Sequence, residues 1–398
     1  MRVMSARNGD RRSVPGSVGD VRLWLGHLPG RLFRVVRDHT PRPVRFTMDG
    51  VVALTGKPAF LRHLDLSAGL RRRRRDPQGL FIGWLLKGDW DNGPARVHGL
   101  IQHRHFRRIG INSVLLRAPR KDGDFLNHRP ADLQRIVDAG FDVVVFEGVH
   151  GPAAQQLARA LGDAGTRTIF VTGDLFGDDM AGVVDWIVGA SEGLTSIAGP
   201  YRARSSVIES VLESPSALVK DYSRPSRNSR IRVVWVGYPE NLHLLGPVRA
   251  ALADPRLSRF DLVAISRGPG VTHQWHRKRV WAQLLACDIA VLPSAETDWY
   301  QAKPNTRMIM FKALGIPIVA SPLASYVATL THGQSCYFAR TPEEWTSGLL
   351  ALSDRDRRRE IGLAEREAIL AKYGVAANAQ EWLALFRRLT EERNAAGR

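Results

Sequence analysis

Cysteine is scarce: Cys287 and Cys336 are the only two in 398 residues. One pair gives no disulfide framework, and both sit among apolar residues, so buried thiols in a reducing cytosol are expected. Long apolar runs are missing too. No stretch approaches the roughly 18 residues of a membrane span. Arg2, Arg7, Asp10, Arg11 and Arg12 precede any apolar stretch, unlike a signal peptide, so the expected location is cytoplasmic. There is no Gly-x-x-x-x-Gly-Lys-Ser/Thr phosphate loop and no Gly-x-Gly-x-x-Gly fingerprint, which removes the main support for kinase and dehydrogenase readings. His273 and His276 lack a nearby carboxylate or cysteine, so no metal site is expected there.

Charge is what the chain has in excess, at a formal +18. Residues 1–76 hold 17 Lys and Arg against six Asp, a net of +11, and include five consecutive arginines, Arg71 to Arg75. Within 21–37, Leu23, Trp24, Leu25, Leu28, Leu32 and Phe33 alternate with Arg22, Arg31, Arg34 and Arg37, and Pro29-Gly30 interrupts any single helix. Two readings stand side by side. Residues 21–76 can lie on an anionic membrane surface, making the protein peripheral on the inner face of a membrane, or they can pack on their own domain. Nucleic acid is not an expected partner, because no binding motif accompanies the charge.

From Gly79 short apolar strands alternate with helical segments, the pattern of a parallel sheet covered on both faces. Strands are expected at 81–86, 111–117, 142–146, 168–172 and 183–188, then, after a polar linker at 221–229, at 231–236, 262–265, 289–292, 318–321 and 336–339. Helices fall between them, with single helices expected at 95–110 and 355–372. The fold class is therefore α/β, with two doubly wound Rossmann-like domains facing across a cleft. The divisions are a basic extension (1–77), an N-terminal domain (78–222), a C-terminal domain (223–375) and a last helix (376–398) that can pack back on the N-terminal domain.

The most informative stretch is Val291 to Ser321. It reads as a strand, a polar loop, Lys303-Pro304-Asn305-Thr306-Arg307, an apolar helix, a glycine stop and a second strand. A helix start carries free N–H groups and partial positive charge, which suits phosphate. Lys303 and Arg307 add full charges and Asn305 an amide. Gly237 and Asn241 flank the first loop of the C-terminal domain, as a phosphate contact or an ordinary turn. Ser294 ends a strand at the cleft. In the first half, Glu147 and His150 follow one strand and Asp174 the next. Such strand ends can bind an acceptor hydroxyl, with His150 or Asp174 taking its proton.

These stretches resemble the nucleotide-sugar-dependent glycosyltransferases of the GT-B fold. The likeness is carried by Asp185-Trp186-Ile187-Val188-Gly189-Ala190-Ser191-Glu192-Gly193-Leu194, by Ala286-Cys287-Asp288-Ile289-Ala290-Val291-Leu292-Pro293-Ser294, and by Gly315-Ile316-Pro317-Ile318-Val319-Ala320. The resemblance covers roughly 79–390 and is more specific in the second half. It implies a nucleotide-diphosphate sugar donor on the C-terminal domain, a glycan, lipid-linked or other envelope-type acceptor on the N-terminal domain, and no cofactor. It places Lys303, Asn305 and Arg307 at the donor phosphates and Trp275 beside the nucleobase. Many retaining members carry two glutamates where this chain has Ala302 and Met310, so the chain resembles a divergent Lys-x-Asn-x-Arg branch. Asp89-Trp90-Asp91 could be read as the metal-binding Asp-x-Asp of the other major glycosyltransferase fold, but two α/β halves argue against that. Asn92-Gly93 beside it looks like an acceptor-side loop. An isomerase of nucleotide sugars and a non-catalytic binding protein are the alternatives.

Overall fold

The computed structural model describes residues 66–116, 130–173, 178–196, 198–223 and 230–396. The amphipathic stretch 21–37 and Asp174 lie outside them. Leu66–Arg75 forms α1, which packs on the first of two six-stranded sheets. That sheet contains β1 (Phe81–Leu86), β2 (Asn112–Leu115), β3 (Val143–Glu147), β4 (Arg167–Thr172), β5 (Trp186–Gly189) and β6 (Ser205–Val207), in the order β2-β1-β3-β4-β5-β6, every pair parallel. Between the strands run α2 (93–108), α3 (Pro130–Val137), α4 (Pro152–Asp163), α5 (Asp178–Ala181) and α6 (Glu192–Ser196).

The second sheet contains β7 (Ile231–Val236), β8 (Phe260–Ser266), β9 (His273–Gln274), β10 (Ile289–Leu292), β11 (Ile318–Ala320) and β12 (Tyr337–Phe338), in the order β12-β11-β10-β7-β8-β9, again all parallel. Its helices are α7 (Gly246–Leu252), α8 (Val280–Leu285), α9 (Asp298–Gln301), α10 (Thr306–Ala313), α11 (Ala324–Val327), α12 (Pro342–Ala351), α13 (Arg355–Leu363) and α14 (Arg366–Tyr373). The alternation read from the sequence is thus two doubly wound α/β domains. Strands such as Phe81–Leu86 and Ile289–Leu292 are buried along their whole length, which is why they read as unbroken apolar runs rather than as alternating ones.

The last helix, α15 (Val375–Ala396), returns to the first domain and lies on α2. Trp382 and Phe386 meet the Trp84 ring edge-on at 5.7 and 6.2 Å, and Phe386 also meets Phe106 at 6.1 Å. Aromatic pairs in this geometry add roughly 0.5–1.5 kcal/mol each beyond their area burial.

Two expected helices are interrupted. The helix after β1 consists of Gly93–Ala95, a π-helical turn at Arg96–Leu100, and Ile101–Arg108. The segment expected as one helix over 355–372 breaks into α13 and α14 at Glu365, which has φ 60°. Just before the break α13 packs closely on its neighbours: a Cβ on Gly362 would stand 2.4 Å from the Gly315 carbonyl oxygen and 2.5 Å from the Tyr222 hydroxyl. Among the described residues no helix is long and apolar enough to cross a membrane.

Candidate active site

In a doubly wound sheet, the strand order reverses at one point, and the loops leaving the carboxyl ends of the two flanking strands diverge to leave a crevice. The reversal falls between β1 and β3 in the first sheet and between β7 and β10 in the second. Asn92-Gly93 follow β1 and Glu147 ends β3. Gly237 follows β7 and Ser294 lies just beyond β10. Six of the residues singled out in the sequence therefore bracket the two switch points or lie just beyond them, counting Asn241 on the loop after β7.

The two crevices meet. The Gly93 N–H donates to the Tyr238 hydroxyl at 3.1 Å, joining the loop after β1 to the loop after β7. Asn92 caps the helix start by accepting from the Ala95 N–H at 2.9 Å. Beside it, Asp91 forms an ion pair with Arg267 at 3.4 Å, and the Asp89 carboxylate accepts from the Asp91 N–H at 2.8 Å. Among the described residues no cluster of three or more His, Cys, Asp or Glu has metal-binding geometry. Trp275 is half-buried, with the guanidinium of Arg267 4.8 Å from its ring centroid and that of Arg96, from the opposite domain, at 5.3 Å. Arg96 is itself tied to Glu213 and to the Trp90 carbonyl.

On the C-terminal side, Asn241 accepts from the Tyr300 hydroxyl at 3.4 Å. Trp299 and Tyr300 pack at 4.8 Å, and the Lys303 ammonium lies 3.8 Å from the Trp299 ring centroid. Gly237 has a packing reason, since a Cβ there would stand 2.5 Å from the Trp235 ring. The Ser294 N–H donates to the Ser321 hydroxyl at 3.0 Å, linking the loop after β10 to that after β11.

The start of α10 holds two buried polar atoms without a hydrogen-bond partner, Asn305 Oδ1 and Arg307 Nη1. Arg307 is half-buried, and its Nη1 is buried without a hydrogen-bond partner. A buried guanidinium N–H left unpaired is costly, so such a group calls for an acceptor. Asn305 differs from the expectation of a phosphate ligand. It is 1% exposed, and its amide nitrogen donates to Glu209 at 2.7 Å and to the Tyr373 hydroxyl at 2.9 Å. Both of its N–H groups are taken within the protein, by the half-buried Glu209 and the buried Tyr373.

The acceptor-side candidates are spread out. Glu147 is 2% exposed, and its carboxylate accepts from the Lys87 N–H at 3.3 Å. His150 is half-buried, with Nδ1 3.9 Å from Asp179, which also accepts from the Gly151 N–H at 3.1 Å. Ala302 is packed into the junction. A Cβ on Gly193 would stand 2.7 Å from Ala302 Cα, and the Ala302 carbonyl accepts from the Ser191 hydroxyl at 2.6 Å. Ala302 is 4% exposed, so a glutamate there would start from a buried position.

Sequence reading missed His98. It lies in the π-helical turn, and burial pushes its pKa down to about 4. Its Nε2 is 3.3 Å from the Ser210 hydroxyl. The signal was faint: His98 and Gln102 are four residues apart on one helix, among apolar neighbours.

Comparison with known proteins is consistent with this geometry. Residues 226–384 match the protein family described as "Glycosyl transferase-like". No curated protein sequence matches the chain. Among solved structures, HepE from Anabaena in complex with UDP and glucose is similar, at 12% identity and TM-score 0.57, covering 78% of this chain and 100% of that one. A glycosyltransferase from Rickettsia africae is similar at 10% identity and TM-score 0.58, covering 78% and 99%. The lipopolysaccharide outer core galactosyltransferase WaaB, in its apo form, is similar at 12% identity and TM-score 0.51, covering 78% and 99%. The architecture they share with this chain is the GT-B fold.

Proposed function

We propose that this protein is a glycosyltransferase that moves a sugar from a nucleotide-diphosphate sugar, held by the C-terminal domain, to an acceptor held by the N-terminal domain. The observation that carries this is the buried, unpartnered Nη1 of Arg307 at the start of α10, with Lys303 four residues before it. Glycosyl transfer expels a nucleoside diphosphate, and negative charge grows on its oxygens in the transition state. A fixed guanidinium, an ammonium and a helix N-terminus aimed at those oxygens lower the barrier. The match of 226–384 to a glycosyl-transferase-like family supports the placement of the donor. The similar HepE structures contain UDP, UDP with glucose, or UDP-glucose, which supports a nucleotide-sugar donor. His150 is the proton acceptor we assign to the acceptor side, and Asp174, outside the described residues, is the other candidate. The acceptor class we favour is a glycan or lipid-linked envelope precursor, with hexosyl transfer of the retaining type.

A thermal-shift screen of the full chain against nucleoside diphosphates and nucleotide sugars tests the donor, since a ligand that binds only the native state raises its stability by mass action. A shift with one diphosphate series is expected. No shift with any of them overturns the reading.

Peripheral membrane attachment through residues 21–76 is part of the proposal, resting on the net +11 of residues 1–76. Arg72 and Arg73 do not contribute, because they bind Asn112 and Asp142 of their own domain, whereas Arg71, Arg74 and Arg75 are exposed. Each cation near an anionic surface adds about 1 kcal/mol. Co-sedimentation with acidic but not neutral vesicles, lost at high salt, is expected; equal behaviour with both removes this element.

A further inference from the structure

Two hydrogen-bonded tracks cross from the N-terminal domain to the start of α10. The first runs from His98 Nε2 to the Ser210 hydroxyl at 3.3 Å and from there to the Thr306 hydroxyl at 2.7 Å. The second begins four residues along α2. Gln102 Nε2 donates to Asn378 Oδ1 at 2.8 Å, and Asn378 Nδ2 donates to the Glu209 carbonyl at 2.9 Å. The Glu209 carboxylate then accepts from Asn305 at 2.7 Å. The tracks leave one helix, pass through adjacent residues of the crossing segment, Glu209 and Ser210, and end on adjacent residues, Asn305 and Thr306.

Most members are buried, with Glu209 and Thr306 half-buried. Ser210 is fully enclosed, and His98, Gln102, Asn305 and Asn378 are at most 3% exposed. Gln102 Oε1 and Asn305 Oδ1 are left buried without a partner, but the directed bonds that the tracks do make fix one geometry more sharply than apolar contact can. Lys372 adds an ion pair to Glu209 at 2.8 Å, and the Tyr373 hydroxyl bridges Asn305 and Glu209. What this geometry fixes is the first turn of α10. Lys303 and Arg307 flank the two anchored positions, so an anchor that sets Asn305 and Thr306 also sets the direction in which the orphaned Arg307 guanidinium points. The π-helical turn that carries His98 fits this role, since such turns are frequent at functional sites.

We propose that His98 and Gln102, on the acceptor domain, are positioning residues for the donor-phosphate site on the other domain. Acting through Ser210 and Glu209, they hold the start of α10 at the angle that lets Lys303 and Arg307 meet a diphosphate. This rests on the reading of α10 as the donor-phosphate site. The seam makes α2 and the phosphate helix one mechanical unit, so a shift in α2, whose own first residues face Tyr238, changes phosphate affinity. Simple domain adhesion is the alternative, and it predicts lost stability with unchanged phosphate affinity.

The probe is inorganic pyrophosphate, titrated calorimetrically at low ionic strength into the full chain, which frees the test from the identity of the base. Wild type is expected to bind and Arg307→Ala to lose that binding. If wild type fails to bind, or Arg307→Ala binds unchanged, the phosphate-site reading falls and the positioning role with it. With that control in place, Ser210→Ala should weaken binding about three- to tenfold, the loss of one buried hydrogen bond. Adding Thr306→Val to Ser210→Ala should weaken it little further, because both act on one track. His98→Leu should behave like Ser210→Ala, and His98→Gln, which keeps a polar group near the Nε2 position, should recover most of the affinity. Circular dichroism checks that each variant is folded. Ser210→Ala and His98→Leu that bind pyrophosphate like wild type, whatever their melting temperature, would overturn the positioning role while leaving the phosphate site standing.

Discussion

Gly193 lies directly against Ala302: a side chain's first carbon on the glycine would stand 2.7 Å from the alanine Cα and 3.1 Å from its Cβ. The pair joins α6 of the first domain to the residue just before Lys303, and Ala190 and Leu194 complete a small buried cluster with Ala302. Backbone cannot yield here as a flexible side-chain end could. Gly193→Val should therefore destabilise the protein by about 1–3 kcal/mol through overpacking. A lowered urea midpoint is the expected result, and an unchanged midpoint would mean that the junction opens at little cost.

Charge at the start of α10 should dominate donor affinity. A hydrogen bond to a charged group contributes about 1.5–3 kcal/mol. Arg307→Ala and Lys303→Ala are each expected to weaken binding of the nucleotide identified by the screen about tenfold to a hundredfold, read by calorimetry. Asn305→Ala should instead lower stability first, because its amide is taken by Glu209 and Tyr373.

Transfer is expected to proceed without a divalent metal, with the cationic side chains carrying the phosphate charge. Chelator should leave the rate within twofold of the untreated enzyme. A rate that collapsed and returned with magnesium or manganese would redirect attention to Asp89 and Asp91.

His98 should make the protein sensitive to acid. Its pKa falls from 6.5 to about 4 because burial disfavours the charged ring. Between those values the unfolded chain binds more protons than the folded one, so this contribution is complete above pH 6.5 and is lost as pH falls towards 4. The full effect is on the order of 3 kcal/mol. Wild type should therefore lose more stability than His98→Leu between pH 7 and pH 4.5 in parallel urea titrations. Equal losses would show that the ring titrates normally.

The sequence by itself determined the architecture. Short apolar runs of four to seven residues, rich in valine and isoleucine and broken by polar loops, suit strands buried on both faces. Two such series separated by a polar linker make two doubly wound domains, as the two parallel sheets show. The helix start at 303–307 and the loops after β1, β3, β7 and β10 were legible because strand ends and helix starts are local properties of the pattern, whereas the strand order that makes them switch points came from the fold. The partners of the side chains were not. Asn305 looked like a ligand until Glu209 and Tyr373, 96 and 68 residues away, took its amide. His98 carried little signal in the sequence, and only the fold places Ser210 and Thr306 in line with it. Trp275 gained an arginine from each domain, and Ala302 a glycine beneath it. Hydrogen-bond direction and the burial of a charge depend on groups distant in the chain, so only the packing of the two domains decided which side chains face each other and which remain free to hold a ligand.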